Sequence, residues 1–174
     1  MKGETIPSWV MDRLQTSCRS FRYELPFNKK VLEEMTPVQF LANHTRLERD
    51  QRRHYTEIFK KFKQKSTEFL DGKSLYAALN SMFGSYLSTS NYEILQTCLF
   101  ITDDSLFDVN TFAGICAFTD RLFWTAYLDG EVDTFTIWAP NRTALEFADF
   151  ENLKRKLKDF NLSKEMRVLL YSLA

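Results

Sequence analysis

The residues able to do chemistry are few and far apart. The two histidines, His44 and His54, are ten positions apart. That is about 15 Å along a continuous helix at ~1.5 Å per residue, too far to share a proton or a metal. Glu33-Glu34 and Asp103-Asp104 are carboxylates adjacent in sequence in polar stretches, with no burial to argue for a general acid or base. No nucleophile elbow, Walker loop, dinucleotide fingerprint or HExxH is present. Cys18, Cys98 and Cys116 form no CxxC pair, and the last two sit among apolar residues, where a thiol acts as a small hydrophobe. The sequence therefore assigns no catalytic residue, no cofactor and no small-molecule substrate, and the expectation is a non-enzyme.

Binding chemistry is better represented. Residues 46–65 carry eight bases against three acids, a net of +5, and residues 101–133 carry seven acids against one base, a net of −6. Arg46, Arg49, Arg52, Arg53 and Lys60 are the candidate strip for an acidic partner such as a tubulin-like surface or RNA. RNA is the weaker choice, because no aromatics interleave with the bases to stack on nucleobases. Phe118, Phe123, Trp124 and Tyr127 are the second candidate partner-binding set. They belong either to a Phe-rich core or to an exposed groove that grips an amphipathic helix.

The elements that must position these residues are helical. In 174 residues there are 16 Phe, 7 Tyr and 3 Trp but only 5 Gly and 4 Pro. The aromatics supply the apolar area that a disordered chain lacks, and the scarcity of turn residues disfavours a sandwich or barrel. Lys plus Arg equals Asp plus Glu, at 23 each, so the chain as a whole is neither polybasic nor acidic. No apolar run is long enough to span a membrane, and the first residues do not read as a secretory signal. The expectation is a reduced, cytoplasmic protein with no membrane contact.

A first helix is expected near Pro7–Cys18, then a turn capped by Asn28. Thr36-Pro37-Val38-Gln39 reads as a capping box that opens one long helix, or two in tandem, with a solvent-facing or partner-wrapped middle at 43–53. Further helices are expected over 74–83, 91–101, 110–128, 146–159 and 164–173, while 130–140 fits no single type.

Three segments share one pattern: Leu70-Asp71 with Leu75, Phe107-Asp108 with Phe112, and Leu145-Glu146 with Phe150. Their first residues are 37 and then 38 positions apart. Each has a large apolar residue, an acid, and an apolar residue five positions on that starts a helical stripe. Helical stretches precede the first two, so the repeating unit is helix–loop–helix.

In this spacing the chain resembles the EF-hand superfamily. The resemblance implies that Leu70 and Phe107 pair in a small β-bridge between two loops, and that Leu75, Phe112 and Phe150 start the exiting helices. The ligand positions depart from the family's pattern. Calcium takes six to eight oxygens, but the first, third, fifth, ninth and twelfth loop positions are Lys63, Lys65, Thr67, Asp71 and Ser74 in the first unit. In the second they are Phe100, Thr102, Asp104, Asp108 and Thr111. The third unit offers Trp138, Pro140, Arg142, Glu146 and Asp149. Glu68, Ser105 and Thr143 stand where the family has its turn glycine. No metal residue is assigned. Asp129, Glu131 and Asp133 are the acids an atypical calcium loop would use.

The expected architecture is all-α: an N-terminal helical extension at 1–36, a degenerate EF-hand-like pair at 37–120, and a third unit with a C-terminal helix at 121–174. The expected function is calcium-independent protein binding as an adaptor or structural subunit, in the cytoskeletal or ciliary setting the resemblance implies. The alternatives are a calcium sensor with an atypical loop and a basic-helix module for an acidic surface.

Overall fold

A computed structural model describes residues 21–83, 87–123 and 144–174. Among these, 65% of residues are helical and the strands are two short pairs, which places the chain in the all-α class.

Only residues 21–36 of the expected N-terminal helical extension are described. Its described residues form strand β1 (Phe21–Tyr23) and a 3₁₀ turn at Lys29–Glu33. Asn28 caps that turn, accepting from the Lys30 amide. The expected helix before Cys18 lies outside the described residues.

Helix α1 (Pro37–His44) starts at the capping box as read: Thr36 accepts from the Gln39 amide, and Gln39 accepts from the Thr36 amide. It does not continue into the next helix. Thr45–Leu47 is strand β2, antiparallel to β1 in the register Phe21↔Leu47 and Tyr23↔Thr45. The β-branched Thr45 and the single large apolar Leu47 suit a strand, and a neighbouring strand of the same chain takes up their backbone groups. Arg22 and Arg46 face each other in this pair, a like-charge arrangement that Glu24 relieves by bonding each at 2.8 Å. The chain then enters α2 (Arg49–Phe62).

Two helix–loop–helix units follow. In the first, α2 leads through strand β3 (Leu70–Asp71) to α3 (Gly72–Phe83). In the second, α4 (Thr89–Leu99) leads through β4 (Leu106–Phe107) to α5 (Val109–Leu122). The strands pair antiparallel, Leu70↔Phe107 and Asp71↔Leu106, and the first of these is the pairing that the resemblance implies. Both Leu70 and Phe107 are buried.

Helix α5 is the centre of the molecule. Every residue from Phe112 to Asp120 is buried, and the run from Phe112 to Phe118 is apolar on every side of the helix. Helix α1 packs on it at Gly114, where a Cβ would lie 2.5 Å from the Leu41 carbonyl oxygen. The last part of the chain comprises α6 (Ala144–Phe150), α7 (Leu153–Lys156) and α8 (Lys164–Leu173). The single helix expected at 146–159 is divided at Asn152, which adopts a left-handed conformation (φ 53°) that Asn tolerates. Helix α8 buries Met166, Leu169, Leu170 and Leu173 and packs against α4 and α1. The 36/37 boundary separates β1 from its partner β2, and the 120/121 boundary falls within α5.

Candidate functional site

The two loops are matched in frame and opposite in content. In each, the aspartate after the buried strand residue caps the exiting helix: Asp71 accepts from the Ser74 amide and Asp108 from the Thr111 amide, both at 2.8 Å. The carboxylates at the ninth loop position are thus engaged as N-caps, each worth about 1 kcal/mol in such geometry. Hydrogen bonds from Ser74, with a further one from Gln64, hold the Asp71 carboxyl below the usual carboxylate range. The loops meet closely. The Gly72 amide donates to the Ser105 carbonyl at 2.8 Å, and a Cβ on Gly72 would sit 1.9 Å from the Thr102 carbonyl oxygen.

The first loop is closed on itself by side chains. Lys63 turns its ammonium back to the Thr67 carbonyl (3.2 Å) and the Glu68 carboxylate (3.0 Å). Gln64 accepts from the Thr67 hydroxyl and donates to Asp71. Lys65, in contrast, is exposed. A carbonyl and a carboxylate that could face a cation therefore face the chain's own ammonium.

The second loop opens outward. Phe100, at the position equivalent to Lys63, has left-handed backbone (φ 56°, ψ 41°) and a side chain left 61% exposed. For a residue with a Cβ that conformation costs roughly 1–2 kcal/mol. Thr102 and Ser105 complete the loop through mutual bonds. Asp103 and Asp104 are exposed. Burial, with Asp103 adding its negative charge, pushes the Tyr92 phenol up to about 12. Among the described residues no three His, Cys, Asp or Glu side chains converge as a metal centre requires. Asp129, Glu131 and Asp133 lie outside them.

Three residues of the basic strip share one face of α2. Arg49, Arg53 and Lys60 fall at i, i+4 and i+11 of α2, on the side opposite the buried Gln51, Tyr55, Ile58 and Phe59. All three are exposed, as are Arg52 and Arg46. Part of the strip is engaged within the chain: Arg46 with Glu24, Arg53 with Asp50 at 3.4 Å, and Arg52 with the Asn110 side chain at 3.0 Å. The aromatic set does not form an open groove in its described part, because Phe118 and Phe123 are buried in the core. Trp124 and Tyr127 lie outside the described residues. The apolar side of the second unit is packed against α1 and α8.

The histidines also separate. His44 ends α1 against the Phe40 ring, 5.1 Å between centroids, and His54 is exposed on α2. Partial burial lowers the basicity of His44.

One constellation escapes the sequence reading. Arg121 forms a two-pronged ion pair with Glu146 (2.5 and 3.3 Å), with both side chains buried. Its guanidinium lies over the rings of Phe21 (5.3 Å) and Tyr23 (4.9 Å). Burial raises the Tyr23 phenol far above its ordinary value. This cluster ties β1, α5 and α6 together. The third repeat is correspondingly unlike the others: Glu146 is an ion-pair partner and Leu145 is exposed, where Leu70 and Phe107 are buried. The visible signal was Asp120-Arg121 inside an otherwise apolar helical stripe.

Compared with known protein families, curated proteins and solved structures, the chain gives no match. No helix among the described residues is long and apolar enough to cross a membrane.

Proposed function

We propose that the chain is a metal-independent protein-binding subunit, built on two EF-hand-like units and presenting the basic strip of α2 to an acidic surface of a partner. The observation that carries this reading is Lys63, whose ammonium is already bonded to a loop carbonyl and a loop carboxylate. A divalent ion arriving there would meet a positive charge before it met six oxygens. The ninth-position carboxylates, engaged as helix caps, point the same way. With no ion to select between closed and open helix pairs, the units keep one conformation, which suits a permanent subunit better than a switch.

EF-hand proteins commonly turn an apolar groove to a target helix. Here α1 and α8 lie against the second unit's apolar side, so docking falls to the outer surface, where Arg49, Arg53 and Lys60 share one face of α2 and Arg46 and Arg52 are exposed beside it in sequence. The partner is a protein bearing a carboxylate-rich face, and cytoskeletal and ciliary assemblies are where the resemblance directs the search.

The test is recovery of the tagged protein from its native cells in calcium or in chelator. The same stoichiometric partners are expected in both buffers, and their loss from an Arg49→Glu/Arg53→Glu/Lys60→Glu variant that still folds. A melting temperature unmoved by millimolar calcium is expected as well. Partners that appear only with calcium, together with a rise in melting temperature, would instead support the sensor reading and direct attention to Asp129, Glu131 and Asp133.

A further inference from the structure

The second unit differs from the first in charge as well as in its loop. Residues 87–120 contain neither Lys nor Arg. The acids they expose include Glu93, Asp103, Asp104 and Asp108. Among these acids stand large apolar side chains open to water: Phe100, and Leu106 at 58% exposure. Phe69, the residue before β3, joins them. Leu70 and Phe107 face the core as a pair, so strand alternation turns Phe69 and Leu106 to the outer face.

Phe100 is the most informative of these. Its exposed ring sits on left-handed backbone, where Gly or Asn would stand without strain. The bond that closes the helix end, from the Ile101 amide to the Gln96 carbonyl, is made by backbone alone. The loop therefore carries an aromatic ring that its own closure does not use.

We propose that this face is a docking surface for a cationic amphipathic segment of a partner protein. The segment's apolar side chains cover Phe69, Phe100 and Leu106, and its Lys or Arg side chains pair with Asp103, Asp104 and Asp108. Charge complementarity selects this occupant: a stretch of acids without a base repels an anionic peptide, a nucleic acid or an anionic membrane. Apart from Phe69, the face is built from the second unit, whereas the basic strip lies on α2 of the first, so the proposal stands or falls separately from the acidic-partner reading. Together the two surfaces would let one molecule bridge partners of opposite charge.

The experiment titrates the full-length protein with a helical peptide built only of Leu and Lys and follows binding by calorimetry. Saturable binding that weakens with added salt is expected. The dissociation constant should rise about tenfold or more in Phe100→Asn, in Leu106→Ser and in Asp103→Lys/Asp104→Lys. It should not change in Arg155→Gln/Lys158→Gln, exposed residues outside both surfaces. Phe100→Asn is informative because Asn suits the left-handed backbone, so its melting temperature should stay within about 3 °C of the parent. Absence of saturable binding, or binding that survives Phe100→Asn and Leu106→Ser together, overturns the proposal. Sedimentation equilibrium of the protein alone addresses the remaining occupant. A dimer that the same variants dissolve would assign the face to a second copy of the chain and overturn the partner assignment.

Discussion

Lys63 and Phe100 stand at the same place in two loops that otherwise match, and they do opposite things. Both loops have a buried strand residue in the Leu70–Phe107 bridge and an aspartate capping the exiting helix at 2.8 Å. Lys63 folds inward on ordinary backbone (φ −59°) and satisfies the loop's oxygens. Phe100 turns outward on left-handed backbone and satisfies nothing inside its loop. The difference teaches that the shared frame needs only the bridge residue and the cap. The first loop position is free to be used for closure in one unit and for display in the other.

The largest expected effect removes the buried pair that ties the second unit to β1 and α6. Arg121→Met leaves Glu146 buried without its bidentate partner and frees the Phe21 and Tyr23 rings. Breaking a buried pair on one side costs about 3–5 kcal/mol. Chemical denaturation should show that loss, and hydrogen exchange should rise at β1 and α6 more than in either loop. Exchange that quickens in the loops but not at β1 and α6 would mean that the pair does not tie those elements to the second unit.

A smaller effect tests the contact between the loops. Gly72→Ala forces its Cβ against the Thr102 carbonyl, a backbone atom that cannot swing aside as a flexible side-chain end can. Overpacking of this kind costs about 1–3 kcal/mol. Amide exchange at Gly72 and Phe107 should quicken, since the Gly72 amide bonds to Ser105. An alanine variant as stable as the parent would show that the loops can move apart without loss, and the comparison between them would then describe two independent turns.

The sequence made the paired units readable because their signals are local and repeated. Leu70 and Phe107 recur at a fixed distance in front of an acid, and the capping box at Thr36 needs only four residues. Long-range features were not readable in the same way. Nothing near Thr45 announces that it will pair with Tyr23, because a short strand gains its stability from a partner some 22 residues away. Glu146 fitted the repeat by spacing alone, and only three dimensions place it on Arg121. The role of Lys63 was half legible. Its type excluded a cation at that position, but its bonds to Thr67 and Glu68 depend on a backbone path that spacing does not specify. Phe118 and Phe123 show the converse, since an aromatic run looks the same in sequence whether it lines a groove or fills a core.

The smallest effect concerns pH and separates the first loop's network from its frame. Asp71 accepts from Ser74 and from Gln64, so its folded-state pKa lies below the ordinary 3.8. A depressed carboxylate contributes stability that is fully present above the unfolded value and is lost as pH falls through the folded value. Asp71→Asn keeps an oxygen that can cap the Ser74 amide but removes the charge. The parent should therefore melt a little above the variant at neutral pH. That gap should narrow below about pH 4 and vanish once Asp71 is protonated in both the folded and the unfolded chain. Melting curves of both proteins between neutral and strongly acid pH measure it. A gap of constant size would show that the carboxylate's charge plays no part in closing the loop, which would then be held by the bonds that need no carboxylate, from Lys63 to the Thr67 carbonyl and from the Thr67 hydroxyl to Gln64.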